Sequence, residues 1–363
     1  MHVLATGYFG FVARTRGVRG EILPLLPQGR DRWIERLVEQ AKAGPAVVIA
    51  GSDWASEFLE RERARLPSQL LTFESADGAH VKLMDKASLY ELARDAGVRT
   101  PWSEQVTSTD RLDEVAGGAD FPCIVKPLWS HSGKRKGDYR TRLASDAREL
   151  RELVGGALAA GVEMLVTEHV PGGEGNLEAA VTVRAKDGSY PLVYGRRKVR
   201  QFPPDYGVGS MHRTAQVPDV IEATRHLLDA AGYQGISITE FKRHAETGEP
   251  VLIEVNVRVP RGFGLGDACG ADASWRLYAT LAGLPLDVQP EPRIGVAAVL
   301  PEVDFHAARA RLRSKDISWR QLLASYRGVR DLGVVNLRDP GPAIGLIWQS
   351  LKPRLPGFKT AQR

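Results

Sequence analysis

Cysteine is scarce: Cys123 and Cys269 are the only two in 363 residues. A disulfide framework is excluded by count, and neither thiol sits at metal-ligand spacing, so both read as reduced thiols of a cytoplasmic protein. Long apolar runs are missing as well. No uninterrupted stretch approaches the ~18 residues that a membrane-spanning helix needs. The opening MHVLATGYFGFVARTRG has neither the charged start nor the long apolar middle of a signal peptide. The apolar piece 343–351, followed by Lys352, Arg354 and Lys359, is too short to span and reads as a docking helix. Charge of one sign is also lacking. The net charge is +5, with acids interspersed nearly everywhere, and no lysine/arginine stripe carries stacking aromatics. That argues against a nucleic-acid partner and leaves small anions as ligands. At 43% hydrophobic and 26% charged residues, the chain is an ordinary globular one of two or three domains.

What is present begins with alternation. Residues 238–259, ITEFKRHAETGEPVLIEVNVRV, hold two apolar runs with polar residues at alternate positions around a turn-rich break. In strand geometry Glu240 and Lys242 share a face, as do Glu254, Asn256 and Arg258, with Leu252 in phase. Val251, Ile253, Val255, Val257 and Val259 fill the other face. A hairpin centred on Thr247 places Glu240 opposite Glu254. Like charges directly opposite are destabilising unless something positive sits between them. Hard cations take carboxylate and amide oxygens, and Mg²⁺ is usually held by one or two carboxylates together with substrate phosphates. Glu240, Glu254 and Asn256 are therefore candidate metal ligands, with Arg258 beside them. A solvated face of an amphipathic hairpin is the plainer alternative.

Four further runs carry chemistry. Lys126 emerges from the apolar strand FPCIVKP, 121–127, where it either snorkels or meets a phosphate. The loop 130–138, with Ser132, Gly133, Lys134, Lys136 and Gly137, is donor-rich and positive, although it lacks Walker A spacing. The strand 164–170 ends in Glu168-His169-Val170 before a Pro-Gly-Gly turn. Glu168 and the Val170 N–H can read an adenine edge, and Glu174 or Asn176 can reach ribose hydroxyls. In GRRKVRQF, 195–202, Arg196, Lys198 and Arg200 share one face in strand phase, either as an anion seat or as a charged edge strand. The secondary-structure pattern has helices at 31–43, 53–66 (capped by Ser52 or Asp53), 86–96, 147–160, 220–231 and 272–282. Strands fall at 3–5, 47–50, 122–127, 164–170, 178–183 and 191–202, besides the hairpin.

The order of these motifs resembles the ATP-grasp superfamily over roughly residues 45–290. The order runs Asp85-Lys86 before a helix, Lys126 in a strand, a glycine-rich basic loop, Glu168 before Pro-Gly-Gly, then E-x₁₃-E-x-N-x-R. The runs DK-x-x-x-Y-E-L-A, GRRKVRQFPP and EFKR…IEVNVR are similar to a branch of ATP-dependent carboxylate–amine ligases. The resemblance implies an α/β chain, α+β in its ATP-binding part. A Rossmann-like domain would occupy 1–80 and an ATP-grasp domain 81–288, divided into 98–185 and 186–288, with an extension at 289–363. It implies ATP and Mg²⁺ (or Mn²⁺). Lys86 and Lys126 would lie on phosphates, Ser132 and Gly133 in a closing loop, and Glu168, Val170, Glu174 and Asn176 on adenosine. Glu240, Glu254 and Asn256 would hold the metal, with Arg258, Arg196 and Lys198 at the reacting groups. The implied reaction joins a small-molecule carboxylate to an amine through an acyl phosphate, in a cytoplasmic enzyme that is often a homodimer. The alternatives are another ATP-grasp phosphoryl transfer or carboxylation, or a non-catalytic ATP sensor. Two departures stand out. The start HVLATG matches the second strand of the usual Rossmann-like unit, so its first strand and helix are expected to be missing. After Arg258, the run VPRGFGLGDACG replaces an aromatic-rich segment.

Overall fold

The computed structural model describes residues 1–25, 28–75, 78–128 and 139–351. The loop residues Ser132, Gly133, Lys134, Lys136 and Gly137 lie outside the described residues.

The N-terminal part is built from parallel strand pairs. His2–Ala5 pairs with Arg19–Ile22, and Ala46–Val47 pairs with Leu70–Leu71. Parallel pairing requires a crossover. Helix Asp53–Arg61 supplies part of the second one and packs Phe58 against Ile34, Leu37 and Leu70. Ser52 is its cap, its side chain accepting from the Ala55 N–H at 3.2 Å. The helix stops five residues short of the expected end, because Arg63–Arg65 tightens into a 3₁₀ turn. The strand expected over 47–50 shrinks to Ala46–Val47, with one more ladder bond from Val48 N–H to the Leu71 carbonyl.

Beyond this the sheets become mainly antiparallel, as expected for an α+β part. Four strands, in the order Ser103–Val106, Met164–Glu168, Cys123–Pro127 and Arg142–Ala144, form one sheet. Helices Thr109–Gly118 and Ala147–Ala159 cover one face through Leu112, Val115, Leu150 and Val154. Cys123 and Val125 point into that core, so strand alternation turns Lys126 to the opposite face.

Seven strands form the main sheet. Their order is Pro250–Asn256, Gly235–Arg243, Leu177–Arg184, Leu192–Phe202, Val208–Thr214, Ala297–Val299 and Val329–Asp331. One face packs on helices Ala79–Met84, Lys86–Asp95 and Pro218–Ala230. The other packs on Gly264–Ala268 and Ala273–Ala282. Gly266 lets the short helix approach: a Cβ there would lie 2.4 Å from the Ala273 Cβ and 2.9 Å from the Tyr194 ring. The C-terminal helix Gly341–Leu351 docks on the 3₁₀ helix Gly7–Arg14, where a Cβ on Gly341 would meet the Arg14 carbonyl at 2.3 Å. Among the described residues no helix is long and apolar enough to cross a membrane.

Two β-bulges correct the expected side-chain phases. Glu240 faces Glu254, but the next pair is Phe241 with Leu252, leaving Ile253 as an extra residue. Leu252 therefore joins Phe241, Val255 and Val257 in the core instead of sharing the Glu254 face. Val251 pairs with Lys242, on the side of Glu240. In the neighbouring strand Lys198 pairs with His212, while Arg200 pairs with Met211, so Val199 is the inserted residue. Arg200 is thus turned away from Arg196 and Lys198. It is buried, forms a two-bond pair with Asp304 (2.9 Å each) and lies over the Tyr326 ring.

Candidate active site

The hairpin supplies the floor. Glu240 and Glu254 are direct cross-strand partners and therefore project on one face, and Ile238 pairs with Asn256 on that same face. Like charges at this spacing repel, and the surroundings compensate. Lys198 Nζ lies 3.5 Å from Glu240 Oε2. Asn256 Nδ2 donates to Glu254 Oε1 at 3.1 Å. Burial pushes the Glu254 carboxyl up, but Lys86, the Asn256 amide, Lys198 and Lys126 outweigh it and hold the carboxyl below its ordinary value.

Two lysines form the facing wall. Lys86 begins helix Lys86–Asp95, which Asp85 caps by accepting from the Ser88 N–H at 2.9 Å. Lys126 comes from the four-stranded sheet. The two are only 7% and 8% exposed. Lys126 Nζ donates to the Tyr90 hydroxyl at 2.8 Å, and that hydroxyl donates to the Ile253 carbonyl at 3.0 Å. Tyr90 thus ties the lysine to the bulge of the acid-bearing strand. Burial lowers Lys86 to about 8, helped by repulsion from Lys126 and opposed by Glu254. Burial likewise lowers Lys126 to about 8 against the pull of Glu254. Two buried ammonium groups near a carboxylate pair are an arrangement that a polyanion completes.

Three arginine and histidine contacts close the far side. Arg258 Nε donates to Asp53 Oδ1 at 2.9 Å, and its Nη2 donates to Asn256 Oδ1 at 3.0 Å. Asp53 opens helix Asp53–Arg61, so the N-terminal part is keyed to the hairpin at this point. Arg196 is buried, its Nη1 donating to the Arg261 carbonyl at 3.2 Å while Nε has no partner among the described residues. Burial lowers its guanidinium. His212, facing Lys198 across the ladder, was not singled out in the sequence; Asp53 was read only as a possible helix cap, and Tyr90 only as part of the run DK-x-x-x-Y-E-L-A. None of the three gives a local hint that it meets the hairpin.

The residues expected at adenosine form a separate group at the turn end of the same hairpin. Glu168 accepts from the Trp102 N–H and from Arg99, each at 3.3 Å. Val170 is buried. Pro171 accepts from the Ala245 N–H at 3.1 Å, and Asn176 Nδ2 donates to the Arg243 carbonyl at 3.1 Å. Glu174 forms an ion pair with Arg311 of helix Pro301–Arg313. This segment bridges the two sheets, with the acid–lysine cluster further along the hairpin.

Whether the donor set suits a divalent cation is tested by its chemistry. Two carboxylates and an amide oxygen on one face are hard oxygen donors of the kind magnesium takes. The Asn256 amide as placed turns its nitrogen to Glu254. Its oxygen accepts from Arg258 Nη2 at 3.0 Å, so presenting it to an ion means giving up or sharing that bond. The two carboxylates fit as they stand, and Asn256 fits once its oxygen is released from Arg258.

Paired acids on the seven-stranded sheet and buried lysines from helix Lys86–Asp95 and the four-stranded sheet thus form one charged site in an α+β protein. No family model matches the chain. It is 28% identical over 235 residues to the carbamoyl phosphate synthase large chain, N-terminal section, of Methanopyrus kandleri, covering 62% of this chain and 41% of that protein. It is 26% identical over 196 residues to N5-carboxyaminoimidazole ribonucleotide synthase of Mycobacterium bovis, covering 47% and 43%. The chain thus spans about two fifths of the length of these curated relatives. Among solved structures, the biotin carboxylase domain of Hydrogenobacter thermophilus 2-oxoglutarate carboxylase, in complex with MgADP, ADP and bicarbonate, matches with TM-score 0.62 and 16% identity over 82% of this chain and 67% of that one. An ADP complex of N5-carboxyaminoimidazole ribonucleotide synthetase matches with TM-score 0.62 and 14% identity over 87% and 84%. L-amino acid ligase from Bacillus licheniformis matches with TM-score 0.56 and 14% identity over 80% and 78%. The structural neighbours are ATP-grasp enzymes, and the chain has the ATP-grasp fold.

Proposed function

We propose that this protein is an ATP-dependent ligase that activates a carboxylate as an acyl phosphate and passes it to an amine, releasing ADP and phosphate. The observation that carries the reading is the Glu240–Glu254 pair held in register opposite buried Lys86 and Lys126. The ATP-grasp domain would span 81–288. The segment Glu168–Asn176 would take the adenosine, by Glu168 and the Val170 main chain at the base and Glu174 or Asn176 at the ribose. Ser132 and Gly133 would belong to a loop over the phosphates.

The catalytic contribution of the chain is positioning and charge stabilisation, as in other phosphoryl transfers. Lys86 and Lys126 neutralise phosphate oxygens. Arg258, held by Asp53, faces the transferring phosphoryl group, and Arg196 and Lys198 hold the substrate carboxylate or the γ-phosphate. A magnesium or manganese ion, which Glu240, Glu254 and Asn256 would hold, supplies charge neutralisation of the polyphosphate. The reading carries with it a cytoplasmic setting and a homodimer as the assembly to look for.

The second reading is carboxylation, in which bicarbonate is the activated carboxylate. It is favoured by the neighbour solved with bicarbonate. Product analysis tests both. ADP and phosphate release from MgATP is screened over amino acids, singly and in pairs, and over bicarbonate with amines, and products are weighed by mass spectrometry. An amide supports the ligase, a carboxylated amine supports the second reading, and a stable phosphate ester overturns both.

A further inference from the structure

The proposed reaction leaves a proton unassigned. An amine reaches the acyl phosphate as an ammonium ion. It must shed one proton to become a nucleophile and a second as the amide forms. The groups around the cleft are ill suited to take the first. Lys86, Lys126, Lys198, Arg196 and Arg258 are cationic donors, and Glu240 and Glu254 are the metal ligands of the reading above.

His212 is different. It is 6% exposed and pairs directly with Lys198, so its ring lies on the face that carries Lys198 and Glu240. Two glycines flank the ring. A Cβ on Gly209 would lie 2.4 Å from His212 Nε2, and one on Gly262 would lie 4.0 Å from Nδ1. Gly262 follows Arg261, whose carbonyl Arg196 binds, so the ring borders the loop that closes the far side of the cleft. Burial first, then Arg196 and Lys198, keep the imidazole neutral. On its other flank the ladder strand offers only Ala298. A neutral imidazole has one N–H and one lone pair, and it is a common general base.

We propose that His212 is a catalytic residue that takes the proton from the incoming ammonium group. This rests on the ligase reading. The amine nitrogen bonds to the acyl carbon, and the bond from that carbon to the phosphoryl oxygen breaks, its electron pair leaving with phosphate. His212 accepts the first proton and returns it to solvent. The second leaves on the phosphate as hydrogen phosphate. Arrival of the phosphate anions beside Arg196 and Lys198 offsets their positive field, the lesser part of the lowering after burial, and to that extent makes the ring a better base when substrates are bound.

The test separates the two half-reactions in the full chain. Proteinogenic amino acids are supplied singly with MgATP, and the acyl phosphate is trapped with hydroxylamine, which is largely unprotonated at neutral pH and needs no base. Amide formation is followed with the same amino acids as the amine. For His212→Gln the hydroxamate rate should stay near that of the unaltered protein, while the amide rate falls about a hundredfold or more at pH 7. The deficit should shrink as pH rises and free amine is supplied by solvent. His212→Asn, with a smaller side chain, should show the same split. Equal loss of hydroxamate and amide in both variants, or no loss of either, overturns the assignment. Absence of hydroxamate from the unaltered protein with every amino acid overturns the ligase reading itself, and this assignment with it.

Discussion

Binding of a nucleotide polyphosphate should draw protons out of solution, because Lys86 and Lys126 are both lowered to about 8 from 10.5. At pH 8 each lysine is about half protonated, so anchoring both to phosphate oxygens takes up about one proton in all. At pH 7 each is already about nine-tenths charged, and uptake falls to about 0.2 protons. The same lowering sets a stability cost. Two and a half pKa units correspond to about 3 kcal/mol per lysine. Below pH 8 the folded and unfolded chains both carry the charge, and the cost is fully present. Between pH 8 and about 10.5 the folded lysines are neutral while the unfolded ones stay charged, so the cost is progressively relieved and stability rises with pH. The assay is titration calorimetry of the magnesium salt of a non-hydrolysable ATP analogue in buffers of differing ionisation enthalpy. The slope of observed heat against buffer enthalpy gives the protons taken up. Lys126→Met should cut the slope at pH 8 by half or more, because it also removes the repulsion that helps to lower Lys86. Tight binding with no slope at pH 8, or a slope unchanged in Lys126→Met, would refute the reasoning.

Replacing Glu240 or Glu254 by Gln should lower MgATP turnover by about a hundredfold or more while circular dichroism stays unchanged; activity near normal removes the metal assignment. Tyr90→Phe deletes the hydroxyl between Lys126 and the Ile253 carbonyl, and nucleotide affinity should weaken by about 1–2 kcal/mol in calorimetry. Asp304→Ala leaves Arg200 buried without its carboxylate, and urea unfolding should show a loss of about 3–5 kcal/mol; a loss under 1 kcal/mol would mean that the pair is replaceable by solvent.

Alternation made the essential pairing readable: Glu240 against Glu254 follows from the position of the turn, and the apolar strand marked Lys126, although that strand alone left a snorkelling lysine as open as a phosphate contact. The half-residue offset did not show. The pairing near the turn, Arg243 with Pro250 and Lys242 with Val251, is centred between Glu246 and Thr247, and the bulge at Ile253 shifts it to Thr247 beyond. A bulge is a choice between two ladder registers, decided by packing of Leu252 on the core. The same applies to Val199, which sends Arg200 to Asp304 across about a hundred residues of chain. The strand Val208–Thr214 was unread because Gly209, Ser210, Met211 and His212 have little strand preference, and only its neighbours on both sides hold it extended. His212 was hidden with it. Likewise the glycines of Gly264–Ala268 give no helix signal of their own, and their smallness serves the close approach of a short helix to Tyr194.

The central claim is that Glu240 and Glu254 jointly clasp a divalent ion bearing a nucleotide's phosphates. Anomalous diffraction from crystals grown with manganese and ADP measures it directly. The account predicts a manganese peak within coordination distance of both carboxylates, with the diphosphate reaching toward Lys86 and Lys126. A nucleotide bound elsewhere, or a manganese peak away from both acids, would contradict it.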